Sequence, residues 1–261
     1  ENLRQVSERI LPGSEPHSLA AFRHLKATGI STVVSVDGAK PDVAAAKGEG
    51  LRYLHIPIGY DGIPQKAMLS LLRVLRETEG GIYIHCHHGK HRGPAAAAIA
   101  CQLEGTADRD RALQLLKQAG TSSDYAGLWR DVRDFKMPPA DVTLPELVET
   151  AKLETMAEAM ARLSRHVDNL EHIQQADWSR PTNHQDVVPV EEALLAMETL
   201  HESGRHLNDH FDQQFRDWLK DSETVAQRLH ATVKSGDNAA ADRAMKSLLH
   251  NCRQCHQAYR N

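Results

Sequence analysis

No stretch of this sequence is apolar for long enough to cross a bilayer. The longest such run, around Ala95 to Cys101, falls far short of the about 20 residues that a helical span requires. The first residues also lack a basic leader followed by an apolar stretch. The chain opens at Glu1 rather than Met, so an upstream segment, such as a cleaved signal, is expected ahead of it. Internal repeats and low-complexity tracts are missing too, which argues against solenoids and long disordered arms. With a formal net charge of −4 and no stripe of interleaved basic and aromatic residues, nucleic acid is not an expected partner. What remains is a globular protein of ordinary composition, 41% hydrophobic and 25% charged.

The scarcest feature is local. Fourteen glycines lie before residue 140, and only Gly204 and Gly236 after it. Charge shifts at the same place: 18 Lys and Arg against 15 Asp and Glu up to residue 140, then 13 against 20. Such a change marks two domains of different architecture. The prolines of "KMPPADVTLP" cannot continue a helix, so a linker is expected at 138–145, between domains at 1–137 and 146–261.

In the first part, short runs such as "RILPG", "STVVSVD", "RYLHIPI" and "GIYIHC" alternate with helical patterns at His17–Thr28, Lys40–Gly48 and Pro64–Glu79. Three further helical segments follow Gly93. This alternation predicts an α/β layer with a central, mostly parallel sheet. The second part contains no convincing strand. It predicts helices at about Leu144–Gln174, Val190–Asp209, Phe211–Lys234 and Asn238–Tyr259, hence an all-α antiparallel four-helix bundle. The joint near His210 leaves open one bent helix in place of two.

Residues 82–94, "IYIHCHHGKHRGP", carry the first chemical signal. Cys86 and Arg92 are separated by five residues, between a strand end and a helix start. A loop of that length can turn its backbone N–H groups onto one phosphate, and the helix N-terminus favours a thiolate. Arg92 could then grip two phosphate oxygens and stabilise charge in the transition state. Gly89 leaves room where a side chain would meet the ligand. His87, His88, Gly89, Lys90, His91 and Gly93 complete the phosphate-binding loop. Protonating a leaving oxygen needs an acid. Asp61, in "IGYDGIPQ", is the first candidate, and Asp37 and Asp42 are the alternatives. A competing reading has His85, Cys86, His87, His88 and His91 binding a soft metal, but their spacing is not a preformed ligand set. Cys101, on an alanine-rich helix, is expected to be a small buried residue.

The sequence His85-Cys86-x-x-Gly89-x-x-Arg92 resembles the signature of cysteine-dependent protein tyrosine phosphatases, and the short domain resembles the dual-specificity group. Its inner "GKHR" is similar to atypical plant and fungal members that act on inositol pyrophosphates. The resemblance covers about residues 1–137. It implies Cys86 as nucleophile, Arg92 as phosphate binder, and Asp61 as general acid and later base. The family usually has Ser or Thr after the arginine, where a hydroxyl helps the thiolate leave. Here Gly93-Pro94 follows, so slower hydrolysis of the phosphoenzyme is expected.

The second signal is "CRQCH" at 252–256, the Cys-x-x-Cys-His sequence through which c-type haem is attached. On a helix, Cys252, Cys255 and His256 share one face; zinc binding and a disulfide are the alternatives. Placed at the end of the last helix, the motif resembles that of cytochrome c′ and related class II cytochromes c, as do Tyr259-Arg260, "SGDNAAADRA" and Trp218. By that resemblance haem c is held by Cys252 and Cys255, with His256 as proximal iron ligand. Leu153, Met156 and Met160 are candidates to face the distal side, and a bare Met is more often core packing.

Together these resemblances imply an extracytoplasmic bacterial phosphatase joined to a haem domain that senses redox state or a diatomic gas. The alternative is an electron-carrying or gas-sensing cytochrome whose loop binds anions with little turnover. The loop's charges favour a multiply anionic phosphorylated substrate. A redox partner and a homodimer are compatible with the cytochrome resemblance.

Overall fold

The computed structural model describes residues 6–152, 155–182, 187–205, 207 and 211–259. The chain divides into two compact units, Glu1–Leu153 and Glu154–Asn261.

Unit 1 is an α/β layer. Its strands are β1 (Ile10–Ser14), β2 (Ile30–Ser35), β3 (Arg52–His55) and β4 (Gly81–Cys86), and its helices are α1 (Leu19–Ala27), α2 (Val43–Gly48), α3 (Gln65–Glu77), α4 (Arg92–Glu104), α5 (Arg109–Ala119) and α6 (Ala126–Arg133). The sheet runs β1-β4-β2-β3 with every pairing parallel. β4 is therefore interior, and its last residue, Cys86, opens onto the carboxyl ends of its neighbours. Ser14 of β1 lies opposite Cys86, and Ser35 of β2 lies opposite His85. Loops at this end of a parallel sheet are where ligands bind.

α4 is buried along nearly its whole length, from Arg92 to Leu103. Its alanines explain this: without bulky side chains, the helix backbone can approach β1 and β4 closely while α3, α5 and α6 cover its other sides. Cys101 is fully buried there, and burial pushes its thiol up to about 11. β-branched strand residues such as Val33, Val34, Ile82 and Ile84 fill the remaining core.

Unit 2 contains, among the described residues, α7 (Met156–Gln175), α8 (Pro189–Arg205), α9 (Gln213–Ser235) and α10 (Asn238–Tyr259). Consecutive helices pack on one another around Leu170, Ile173, Leu200, Phe215, Leu229, Met245 and Leu248. The end of α7 is tied to the start of α10 by Asp242, which accepts from Gln174 Nε2 (2.8 Å) and Trp178 Nε1 (3.0 Å).

Two expectations change. The first helix of this unit starts at Met156, not Leu144. Thr155 and Glu158 form a reciprocal capping box that fixes this start, while the preceding residues are drawn onto unit 1. His55 N–H donates to Val148 O (2.9 Å), Arg73 Nη1 to Pro145 O (2.9 Å), and Lys47 pairs with Glu149 (2.8 Å). The expected linker 138–145 and the first residues of the expected bundle domain, 146–261, therefore belong to unit 1. Separately, α8 ends at Arg205 and α9 starts after the cap Asp212, so two helices replace the bent alternative. His210, Arg260 and the distal candidate Leu153 lie outside the described residues.

Candidate active site

Cys86 is 4% exposed and closes β4; the chain then turns through residues 87–91 into α4. Gly89 makes this turn with φ +67°, a left-handed conformation that other residues adopt at a cost. The structure adds a second reason for a glycine here, beside the expected room for a ligand. A Cβ here would run into the backbone of Gly13 and Ser14 on β1, so the glycine seats the loop on the sheet as well as leaving room for a ligand. Gly93 is equally specific. A Cβ at this position would lie 3.1 Å from Cys86 N and 3.4 Å from Cys86 Sγ, so a hydroxyl-bearing residue would touch the sulfur.

Arg92, 2% exposed, reaches back under the loop end. Its Nη2 lies 3.6 Å from Asp37 Oδ1, its Nη1 donates to Ile58 O at 3.5 Å, and its guanidinium stacks 4.2 Å from the Tyr60 ring centre. A buried arginine between a carboxylate and an aromatic face is held without being neutralised by solvent. Asp37, two residues beyond β2, is 1% exposed. Of the alternative acids, it is therefore the one tied to Arg92. Asp42 instead caps α2, accepting from Ala45 N–H at 3.0 Å.

Asp61 is exposed, in a loop whose path is fixed by α6. Asp131 Oδ2 accepts from Ile63 N–H (2.6 Å), Arg130 Nη2 donates to Asp61 O (3.2 Å), and Gly127 packs so close to the Asp61 carbonyl that any side chain there would collide with it. The neighbour of Asp61, Tyr60, stacks on Tyr125 (4.7 Å) as well as on Arg92. The loop bearing Asp61 is thus anchored beside the Cys86–Arg92 loop, with Asp61 itself exposed.

The histidines divide by environment. His85 is buried between Tyr53, whose hydroxyl lies 2.6 Å from His85 Nε2, and the Tyr83 ring. Burial lowers its pKa to about 4 against the opposing pull of Glu15 and Asp37, so its ring is neutral at pH 7. His91 is lowered to about 4 by burial, and then by the charges of Arg92, Lys90 and His88. Its Nδ1 accepts from Ser122 N–H at 3.4 Å and its ring packs on Tyr125. The structure therefore gives His91 a loop-bracing contact beside its expected phosphate role. His87 pairs through Nδ1 with Glu15 (3.1 Å), while His88 and Lys90 are exposed. Among the described residues, Glu15, Asp37 and His87 are the group whose ligand atoms lie within 4.8 Å of one another. Of the five residues in the competing metal reading, it includes His87 alone.

Sequence reasoning missed Tyr60, Tyr125 and Glu15, which have no motif spacing to the loop and reach Arg92, His91 and His87 only through the fold.

On α10, Cys252 and Cys255 are free thiols, partly buried against the apolar cluster of unit 2, as are Met156, Met160 and Tyr259. Burial raises both thiols' pKa values. His256 is exposed next to them. Tyr259 is fixed by donating to Asp212 Oδ1 (2.6 Å) and by edge contacts with Phe215 and Trp218.

No family model matches the chain. The dual specificity protein phosphatase TpbA of Pseudomonas aeruginosa is 32% identical over 125 residues, spanning 46% of this chain and 55% of that protein. That similarity supports a phosphatase domain. The alignment covers little more than half the length of this relative. Among solved structures, that of P. aeruginosa TpbA gives a TM-score of 0.45 at 27% identity, over 52% of this chain and 85% of that one. The core catalytic domain of the PP-IP phosphatase SIW14 from S. cerevisiae, in complex with citrate, gives 0.45 at 17% identity, over 52% and 86%. Human DUSP28 gives 0.41 at 17% identity, over 51% and 92%.

Proposed function

We propose that unit 1 is a cysteine-dependent phosphatase acting on a multiply anionic phosphate ester. The observation that carries this reading is Cys86 at the end of β4, with Gly93 against its sulfur and buried Arg92 at the first position of α4. The Cys86 thiolate attacks phosphorus, an S–P bond forms, and the P–O bond to the leaving group breaks as Asp61 donates its proton to that oxygen. Water then attacks phosphorus, Asp61 takes a water proton, the S–P bond breaks and inorganic phosphate leaves. Arg92 and the loop amides stabilise the charge on the non-bridging oxygens through both steps. His88 and Lys90 face solvent around the loop and favour substrates with more than one phosphate. A pTyr complex is known for the P. aeruginosa relative, which makes aryl phosphates a second substrate class to assay.

For unit 2 the reading is a four-helix bundle of the cytochrome c′ type carrying haem c. The residues fit: two free thiols three positions apart on one helix, half-buried at an apolar cluster, beside an exposed imidazole. Cys252 and Cys255 would hold the porphyrin and His256 the iron, with Met156 or Met160 as distal candidates. Haem bound there would supply an iron that changes redox state or takes a diatomic ligand. Covalent haem attachment is an extracytoplasmic process in bacteria, so the protein is read as periplasmic, with the haem's state regulating phosphate release.

The second reading, an anion-binding loop with little turnover on a sensor cytochrome, is favoured by Gly93. Phosphate release by the reduced, full-length protein and by Cys86→Ser decides between them. Release that disappears in the variant supports the phosphatase. Phosphoenzyme that forms but persists supports the sensor reading, and Gly93→Ser should then restore turnover. For unit 2, haem that stays with the polypeptide in denaturant, and is lost from Cys252→Ala with Cys255→Ala, supports attachment. Haem that washes out of the parent protein contradicts it.

A further inference from the structure

His55 ends β3, two strands away from Cys86, and is 2% exposed. Its two ring nitrogens join parts of unit 1 that are far apart in sequence. Nδ1 accepts from Ala151 N–H at 3.2 Å, and Nε2 lies 2.8 Å from the Asp37 carbonyl oxygen. An amide can only donate and a carbonyl can only accept, so the tautomer is determined: a neutral ring with its proton on Nε2. The backbone N–H of His55 donates to Val148 O at 2.9 Å, so residues 148–151 are held against the β3 edge at both ends. Asp37, in turn, has its carboxylate 3.6 Å from Arg92 and accepts from Ala39 N–H at 3.1 Å. A continuous path therefore runs from Ala151 through His55 and Asp37 to the guanidinium.

We propose that His55 and Asp37 are positioning residues for Arg92, and that segment 148–151 sets them. The proposal rests on the reading that Arg92 binds phosphate. Hydrogen bonding to the Asp37 carbonyl fixes the backbone from which its carboxylate projects, and that carboxylate orients one edge of the Arg92 fork toward the loop. Segment 148–151 immediately precedes unit 2 in the chain, so the covalent route between the units passes through this contact.

The two amide replacements of His55 separate the roles of its nitrogens. Asparagine can retain an acceptor near the Nδ1 position, and glutamine can retain a donor near Nε2. The experiment measures binding of inorganic phosphate by calorimetry to the reduced full-length protein and to Arg92→Lys, Asp37→Asn, His55→Asn, His55→Gln and Ala151→Pro. It is run at a temperature where circular dichroism shows all of them folded. Asp37→Asn and His55→Asn should each weaken phosphate about tenfold, the cost of one buried hydrogen bond or charge contact. His55→Gln should recover most of that loss, a rescue that a purely structural histidine would not show. Ala151→Pro, which removes the segment's N–H donor to His55 and also fixes the backbone there, should weaken phosphate by about threefold. Phosphate affinity unchanged in His55→Asn and Asp37→Asn, with Arg92→Lys impaired, overturns the proposal. Unchanged affinity in Ala151→Pro alone removes the segment from it. Equal affinity in Arg92→Lys and the parent protein would instead overturn the underlying phosphate-site reading.

Discussion

The two cysteine sites of this chain are built in opposite ways. In unit 1, Cys86, Arg92, Asp37, His85 and His55 are each nearly inaccessible. Backbone and side-chain contacts orient them before any ligand arrives. In unit 2, Cys252 and Cys255 sit half-buried on the surface of a single helix, and His256 is exposed. A site of the first kind holds its geometry through the stability of the fold, so strain and buried polar groups concentrate around it. A site of the second kind needs only a regular helix with an apolar neighbour. Changes in packing or pH should therefore act mainly on unit 1.

The largest expected effect is that of Gly89→Ala. A residue with a Cβ must take φ +67° and push into the Gly13–Ser14 backbone, at a cost of about 3 kcal/mol or more. Chemical denaturation should move the unfolding of unit 1 and leave the helical signal of unit 2 in place. An unchanged unit 1 would mean that the loop is not seated on β1.

Acid should separate the units almost as strongly. The pKa of His85 is about 4 in the folded protein, against an ordinary value near 6.5 in the unfolded chain. The unfolded state binds more protons between these values, so stability is fully present above about pH 6.5 and falls as pH drops toward 4. The full span corresponds to ~3 kcal/mol. His91 adds to the loss in the same direction. Unfolding of unit 1 measured at pH 7 and pH 4.5 should show this decline, and His85→Gln should flatten it. A decline of equal size in the variant would assign it to other groups.

How much of this was legible in the sequence depended on locality. The β4–loop–α4 unit could be read because its alternating strand, cysteine, glycine, arginine and alanine helix are consecutive. The role of Asp37 could not be read. It was one of three acids following strand ends, and only the β1-β4-β2-β3 order places β2 beside β4. Residues 144–153, "LPELVETAKL", misled for a physical reason. Proline suits the first turn of a helix and the residues after it are mostly good helix formers. Tertiary hydrogen bonds to His55 and Arg73 outweigh that local preference. Among the described residues of unit 2 the periodicity placed four helices, the first with its start too early, and caps fix the starts of α7 and α9.

The smallest effect concerns one of those caps. Asp212 accepts from Phe215 N–H at the start of α9 and also from the Tyr259 hydroxyl beside the cysteine pair. Asp212→Ala should lower the stability of unit 2 slightly through loss of the cap and leave phosphate release by unit 1 unchanged, as thermal melts and activity assays run in parallel would show. A loss of activity at this position would mean that the packing of α9 on α10 itself bears on unit 1.

The most direct test of the central claim is chemical identification of the covalent intermediate. Reduced full-length protein carrying Asp61→Asn, which slows both proton transfers, would be mixed with an aryl phosphate, quenched in denaturant at alkaline pH and mapped by mass spectrometry. The account predicts one added phosphoryl group on the peptide that contains Cys86, absent when Cys86 is replaced by serine. Phosphoryl transfer to another residue, or product release that continues in Cys86→Ser, would contradict it.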